Sequence, residues 1–391
     1  MRVAGVIAEY NPFHSGHEWQ LRQTRARTGC DYVVVVMAGS YTQRGEAALL
    51  SKQTRARMAL LCGADAVFEL PALFAVRSAE GFATGGVGVL AGLGVDVLSF
   101  GSECADIGAL TALAQLRNHE SAEFTEALRA LLAQGMTYSR AWGQTAAEAL
   151  HLPAELIAQP NVALGIEYLR AIAALPAPME AIAIPRLGGY HSHELAASAF
   201  ASASAIRAAL FSPRRSAALD AVPQTVRPLL AAAKPLHEPD DMLLLTLRGM
   251  ESTALAEMCE AGEGLERRVL AEARYAEGRR ALIERVKCRR YTYARISRIL
   301  AQAMLGINRA LAQRHPTPEY ARLIALRGDA APLMKELARR ATLPICADPV
   351  KLAESEVFQL ECRATDLRAL QCSDALERRA GQEFTAKFVR V

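Results

Sequence analysis

Two histidines three residues apart, in His14-Ser15-Gly16-His17, stand where the apolar run Val3 to Ala8 gives way to a helical pattern. Paired imidazoles at such a junction can meet the phosphates of a nucleoside triphosphate. The first turn of a helix already favours anions through its unpaired N–H groups and its dipole. Gly16 leaves room for a base or ribose to lie against the backbone. The preceding Glu9-Tyr10-Asn11-Pro12-Phe13 reads as a sharp turn, because Asn-Pro favours turns and disfavours early helix entry. A protein-held metal is not expected: no third ligand lies near the pair, and its spacing suits neither standard zinc pattern. The chemistry that fits is activation of a second substrate by ATP.

Such a pair needs a rim to stand on, and the first half of the chain supplies one. Strands are predicted over 3–8, 32–37, 65–70, 95–100 and 180–184. Helices are predicted between them, over 16–27, 51–62, 78–90, 107–132, 139–150 and 161–173. The run 32–37 is apolar throughout, as in a strand covered on both faces. Strand–helix alternation predicts an α/β, Rossmann-like doubly wound sheet, whose ligands bind outside the C-terminal strand ends. His14, Gly39, Pro71, Gly101 and Arg186 all follow strand ends and should converge on one rim.

Beyond Pro213-Arg214-Arg215 the strand signal fades. Residues 1–215 are expected to form an ATP-binding domain. Residues 216–240, with four prolines, read as a linker, and 241–391 as a mostly helical domain with short strands at 357–360 and 384–391. The tract Lys287 to Arg295 sets cations beside aromatics, a combination suited to RNA backbone and base stacking. Lys287, Arg289, Arg290, Tyr291 and Arg295 are its candidate RNA contacts. The usual fate of a charge run, a solvated helix face, is the competing reading.

Composition narrows the class. With 391 residues, 51% hydrophobic, the chain can bury two domain cores. A net charge of +4 permits RNA binding without demanding it. No apolar run approaches the ~18 residues of a membrane span, so no membrane partner is expected. Eight cysteines without a CxxC pair, and a start that runs straight into a strand, predict reduced thiols and a cytoplasmic protein.

Asn11-Pro12-Phe13-His14-Ser15-Gly16-His17, after a first strand and before a first helix, resembles the signature of HIGH-type nucleotidyltransferases. Ser202-Ala203-Ser204-Ala205-Ile206-Arg207 resembles the serine and Ile-Arg motif that closes the nucleotide site of that fold. There, hydroxyls and free N–H groups at a helix start can hold phosphates while Arg207 adds charge. The likeness sharpens along the chain. The run Ile7 to His17, Gln43-Arg44-Gly45-Glu46, Phe100-Gly101-Ser102-Glu103 and Asn161 with Leu164 to Tyr168 resemble the bacterial tRNA(Met) cytidine acetate ligases. So do Pro185-Arg186 with Tyr190-His191, and Arg289-Arg290-Tyr291-Thr292 with Arg295-Ile296. The likeness spans residues 1 to about 300, and the last ninety residues carry none of its motifs. Ser15 fills the variable position of the HxGH motif, and no acidic residue follows Tyr190-His191 in His191-Ser192-His193.

That resemblance implies an enzyme that adenylates acetate and passes the acetyl group to N4 of the wobble cytidine of elongator tRNA(Met). It implies that ATP is held by Ile7, Ala8, Glu9, Tyr10, Asn11, Pro12, Phe13, His14, Ser15, Gly16, His17 and Gln20, with further contacts at Gly101, Asn161 and Arg186. Ser204 joins them from the second motif. His14 and His17, helped by Arg207, would stabilise the α-phosphate under attack and the departing pyrophosphate, with Mg²⁺ on the triphosphate. Gln43, Arg44 and Glu46 face either acetate or cytidine, or form a solvated loop. Two rivals remain: a small-molecule adenylyltransferase of the same fold, against which the Arg-rich helical half counts, and a non-catalytic RNA-binding protein, against which His14, His17 and Arg207 count.

Overall fold

Val33 to Val36 are wholly buried in the middle of a sheet, which is why that stretch carries no polar residue. The computed structural model describes residues 1–186 and 201–391. Strands β1 (Val3–Ala8), β2 (Tyr32–Ala38), β3 (Ala66–Leu70), β4 (Val97–Ser102) and β5 (Glu180–Pro185) lie parallel in the order β5-β4-β1-β2-β3. Helix α1 (Ser15–Thr28) follows β1, and α2 (Lys52–Leu61) follows β2. The two faces carry separate apolar clusters, one with Ile7, Val34 and Phe68, the other with Val6, Val35 and Leu21. That split is the period-2 alternation of strands covered on both sides.

The predicted division of the chain is corrected in three places. Ala321–Leu326 (β6) returns to the sheet and pairs antiparallel with β3, and the short β7 (Ile345–Cys346) and β8 (Val389–Arg390) pair with β6. Residues 301–364 contribute Leu305, Tyr320, Phe358 and Ala364 to the cluster that contains Val34. The separate helical core is confined to residues 243–303, from Leu243 to Ala303. The predicted linker is packed structure: the Arg215–Asp220 helix, the Gln224–Val226 turn and the Arg227–Ala231 helix bury Ala218, Val226 and Leu230 against the α1 side of the sheet. Pro228 sits in the first turn of the Arg227–Ala231 helix, where its missing N–H costs nothing, and so does not open the chain.

Local predictions failed where capping outweighed pattern. Residues 357–360 lie in the Glu356–Leu370 helix, whose N-cap Ser355 accepts from the Phe358 N–H. The segment 384–391 yields a short Gln382–Thr385 helix and only the two-residue β8. The long helix over 107–132 is two, Ile107–Asn118 and Ala122–Ala133, because Ser121 caps a new start.

A buried charge cluster fastens the returning segment to the sheet. The Lys52 ammonium meets Glu69, Glu361 and Glu383, and Arg322 on β6 meets Glu69 (2.7 Å) and Glu383. Burial alone would lower the Lys52 pKa, but Glu361, Glu383 and Glu69 together raise it, so the amine stays charged. A single removal would strand the remaining charges out of water.

Candidate active site

β1 ends in a turn that the sequence makes tight. Tyr10 adopts a left-handed φ of 49°, uncommon for a bulky residue, and its ring packs edge-on against Phe13 and His17, each at 4.8 Å. Arg55 on α2, wholly buried, donates to the carbonyls of Glu9 (2.7 Å), Ala38 (2.9 Å), Leu50 (3.1 Å) and Gly39. One guanidinium therefore ties the end of β1 to the end of β2. The Asn11 side chain accepts from the Leu49 N–H at 2.8 Å, and the Glu9 carboxylate from the Gln43 N–H at 2.6 Å. These bonds fix the loops.

The histidines cap α1 reciprocally. His14 is the N-cap, and its Nδ1 accepts from the Gly16 N–H at 3.1 Å. His17 Nδ1 accepts from the His14 N–H at 3.2 Å. The rings stack with centroids 3.6 Å apart, tilted by 23°. With both Nδ1 atoms accepting, each neutral ring carries its proton on Nε2. Burial pushes the His14 pKa down to about 3, with the Arg186 charge adding to the effect. Burial, His14 and Arg186 hold His17 well below its ordinary value too. The pair supplies neutral N–H donors, and the positive charge comes from arginines and the helix N-terminus.

A cavity of about 390 Å³ opens in front of this turn. Of the predicted ATP contacts, Ile7, Ala8, Glu9, Tyr10, Asn11, His17, Asn161, Arg186, Ser204 and Arg207 line it. The others do not. Pro12 and Phe13 are buried, and His14 lies stacked on His17. The Ser15 hydroxyl is spent on the Ala221 carbonyl (2.9 Å), and the Gly16 N–H on His14. Gln20 sits a turn further along α1. Gly101 backs Arg186: a Cβ added to it would lie 3.6 Å from that side chain. None of these seven is in the cavity wall. Thr42, Phe82, Leu164 and Tyr168 also line the cavity, and no motif identified Phe82 or Thr42 as contacts.

Electrostatics favour an anion there. Arg44, Arg186 and Arg207 all reach the cavity wall. Arg207 donates to the Asn11 carbonyl at 2.6 Å and lies 3.6 Å from Glu46. Asn161 donates to Glu103 at 2.6 Å, and Glu103 lies 3.9 Å from Arg186. Burial raises the Glu9 pKa, opposed by the Gln43 N–H and by Arg44, Arg207 and Arg55. Ser202 caps the Ala203–Leu210 helix by accepting from the Ala205 N–H, which leaves Ser204 to face the cavity. Tyr190, His191, Ser192 and His193 lie outside the described residues.

The predicted RNA tract is partly corrected. Lys287, Arg289 and Arg290 are exposed, as such contacts require. Tyr291 is buried, with Arg290 and Arg295 each 5.8 Å from its ring centre and its hydroxyl donating to the Glu263 carbonyl. Arg295 bonds the Glu260 carbonyl (3.1 Å) and Glu263 (3.0 Å). Tyr291 therefore braces the tract and offers no face to a base.

A family model described as HIGH Nucleotidyl Transferase matches residues 1–383. A tRNA(Met) cytidine acetate ligase of Acetivibrio thermocellus is 32% identical, with 100% of both chains covered. Another, of Clostridium perfringens, is 33% identical over 94% of both. The crystal structure of Thermotoga maritima TmcAL bound with alpha-thio ATP superposes with a TM-score of 0.90 at 27% identity, covering 100% of both chains. Placed beside the stacked pair at the start of α1, these likenesses make the chain a member of the HIGH nucleotidyl transferase family and, within it, of the tRNA(Met) cytidine acetate ligases.

Proposed function

We propose that this chain is an ATP-dependent ligase that makes acetyl-AMP from acetate and ATP and transfers the acetyl group to N4 of the wobble cytidine of elongator tRNA(Met). One observation supports the chemistry above the rest: His17, stacked on His14 in one tautomer at a helix N-terminus, shares a cavity wall with three arginines. Attack of a carboxylate on an α-phosphate sets anion against anion. Fixed donors and charges at the phosphate offset that repulsion, and in-line placement supplies much of the rest. His17 Nε2 donates to the phosphates as charge develops, and His14 holds the His17 ring in place. Arg207, Arg186 and Arg44 carry the triphosphate, and Ser204 supplies a further hydroxyl.

Mg²⁺ belongs with the triphosphate in this scheme, bound by phosphate oxygens and water. Among the described residues, the one set of carboxylates spaced for a cation is Glu69, Glu361 and Glu383. Lys52 and Arg322 already occupy it.

The helical unit of residues 243–303 is the tRNA-binding part, with Lys287, Arg289 and Arg290 on the RNA backbone. Among the described residues, no helix is long and apolar enough to cross a membrane. The test is exchange of labelled pyrophosphate into ATP, followed by acetylation of tRNA(Met). Exchange that requires acetate, with acetyl appearing on cytidine, is the expected result. Exchange indifferent to acetate would favour the small-molecule adenylyltransferase, and no exchange at all a non-catalytic RNA binder.

A further inference from the structure

The turn 42–46 separates two cavities. Its Thr42 N–H donates to the Glu46 carbonyl and its Gly45 N–H to the Thr42 carbonyl, both at 2.9 Å. Thr42, Gln43 and Arg44 face the nucleotide cavity. Gly45 and Glu46 face a second cavity of about 200 Å³, bounded also by Tyr41, Arg279, Tyr293 and Gln371. Arg207 borders both spaces. Gly45 must be glycine: its φ is +70°, and a Cβ would stand 2.5 Å from the Ser297 carbonyl oxygen. The turn is thus clamped onto the helical unit, further held by Arg279, which donates to the Gly45 carbonyl (3.3 Å) and the Ser297 hydroxyl (2.6 Å). One wall comes from the sheet and the other from the helices.

We propose that this second cavity receives the acceptor nucleoside, an unstacked cytidine, and that Glu46 takes the proton released from its N4. The inference rests on the ligase reading above. Three observations support it. The cavity falls below the ~300–1,000 Å³ of sites for drug-sized ligands, so its scale is that of a single base. Tyr293, half-buried in the wall, presents a ring on which a base can stack. It also follows Arg289 and Arg290 by only a few residues, so an RNA strand on those exposed cations is led to the opening.

Glu46, 3.6 Å from Arg207, stands at the boundary where the acetyl donor and the amine must meet. N4 attacks the acetyl carbonyl carbon, and an N–C bond forms as the bond from that carbon to the phosphate oxygen breaks. AMP leaves with the electron pair, and the N4 proton passes to the Glu46 carboxylate. This needs no co-reactant beyond acetyl-AMP and RNA. Glu46 is thereby a catalytic residue of the second half-reaction.

Both half-reactions are measured on the full chain with Glu46→Gln, Tyr293→Ala and Tyr293→Phe. Glu46→Gln is expected to lower kcat for tRNA acetylation by about 10²-fold with the KM for tRNA little changed, since positioned general bases contribute ~10²–10⁴. Tyr293→Ala is expected to raise the KM for tRNA by about tenfold, as loss of a stacking ring does, and Tyr293→Phe to restore it. Acetate-dependent pyrophosphate exchange should persist in all three, which also shows that they fold. Wild-type acetylation by Glu46→Gln or by Tyr293→Ala would overturn the assignment. So would loss of exchange in parallel with acetylation, which would place the cavity with the nucleotide. Failure of exchange in the wild-type protein would instead remove the ligase reading itself.

Discussion

The rim at the start of α1 and the basic tract at Lys287 to Arg290 carry charge in opposite ways. At the rim, several of the groups around the cavity are tied to the backbone by hydrogen bonds. His17 holds the His14 N–H, Glu9 holds the Gln43 N–H, and Arg207 holds the Asn11 carbonyl. In the tract the cations stand exposed, and Arg290 reaches Glu263 at 3.4 Å and lies 5.8 Å from the centre of the Tyr291 ring. The contrast fits the two proposed tasks. Stabilising charge that develops at one atom depends on donors that need no reorganisation. Holding a polyanion depends on many weak contacts that release counterions.

The contrast can be broken first from behind the rim. Lys52→Met leaves Arg322 as the one cation paired with Glu69 and Glu383 among the described residues, with none on Glu361, and should destabilise the fold by about 3–5 kcal/mol. Urea unfolding measures it; a loss under 1 kcal/mol would mean that the cluster does not fasten the C-terminal segment. His17→Ala comes next, and should slow acetate-dependent exchange by about 10²–10³-fold while tRNA affinity stays within a few-fold. Equal loss of both properties would erase the distinction between the regions.

Replacing Arg289 and Arg290 with Ala should weaken tRNA binding and flatten its salt slope by about one for each phosphate that is no longer neutralised. Stability should move by no more than about 0.5 kcal/mol, as at other exposed sites. Filter binding at several salt concentrations reads the slope, and an unchanged slope would place the RNA elsewhere.

The smallest effect concerns pH. Unfolded, His14 titrates near its ordinary 6.5, whereas in the fold its pKa is about 3. Between those values the unfolded chain binds more protons, so this contribution is complete above pH 6.5 and is lost as pH falls toward 3. His14→Asn keeps a capping oxygen and should show a shallower fall in urea midpoint between pH 7.5 and 5 than the wild type. Identical slopes would mean that the imidazole is not held neutral.

How much of this was legible depended on the distance over which each residue finds its partners. The turn at Tyr10 to His17 could be read because its caps lie within three residues of each other. Strands β1 to β5 could be read because each is a short, mostly apolar run. Tyr291 could not: its hydroxyl meets the Glu263 carbonyl, 28 residues away, and that contact removes its ring from any base. Val357 to Leu360 misled because four apolar-rich residues suit a strand or a helix equally, and Ser355 decided for helix.

By itself, then, the sequence determined the order of strands β1 to β5 and the turn that carries the two imidazoles, both products of short-range caps and periodicity. Only the tertiary structure decided that Ala321–Leu326 pairs antiparallel with Ala66–Leu70, and that the imidazoles are uncharged. It also decided that the 42–46 turn divides one cavity from another. Each of these depends on burial and on partners brought together from distant parts of the chain, and hydrophobic pattern encodes neither.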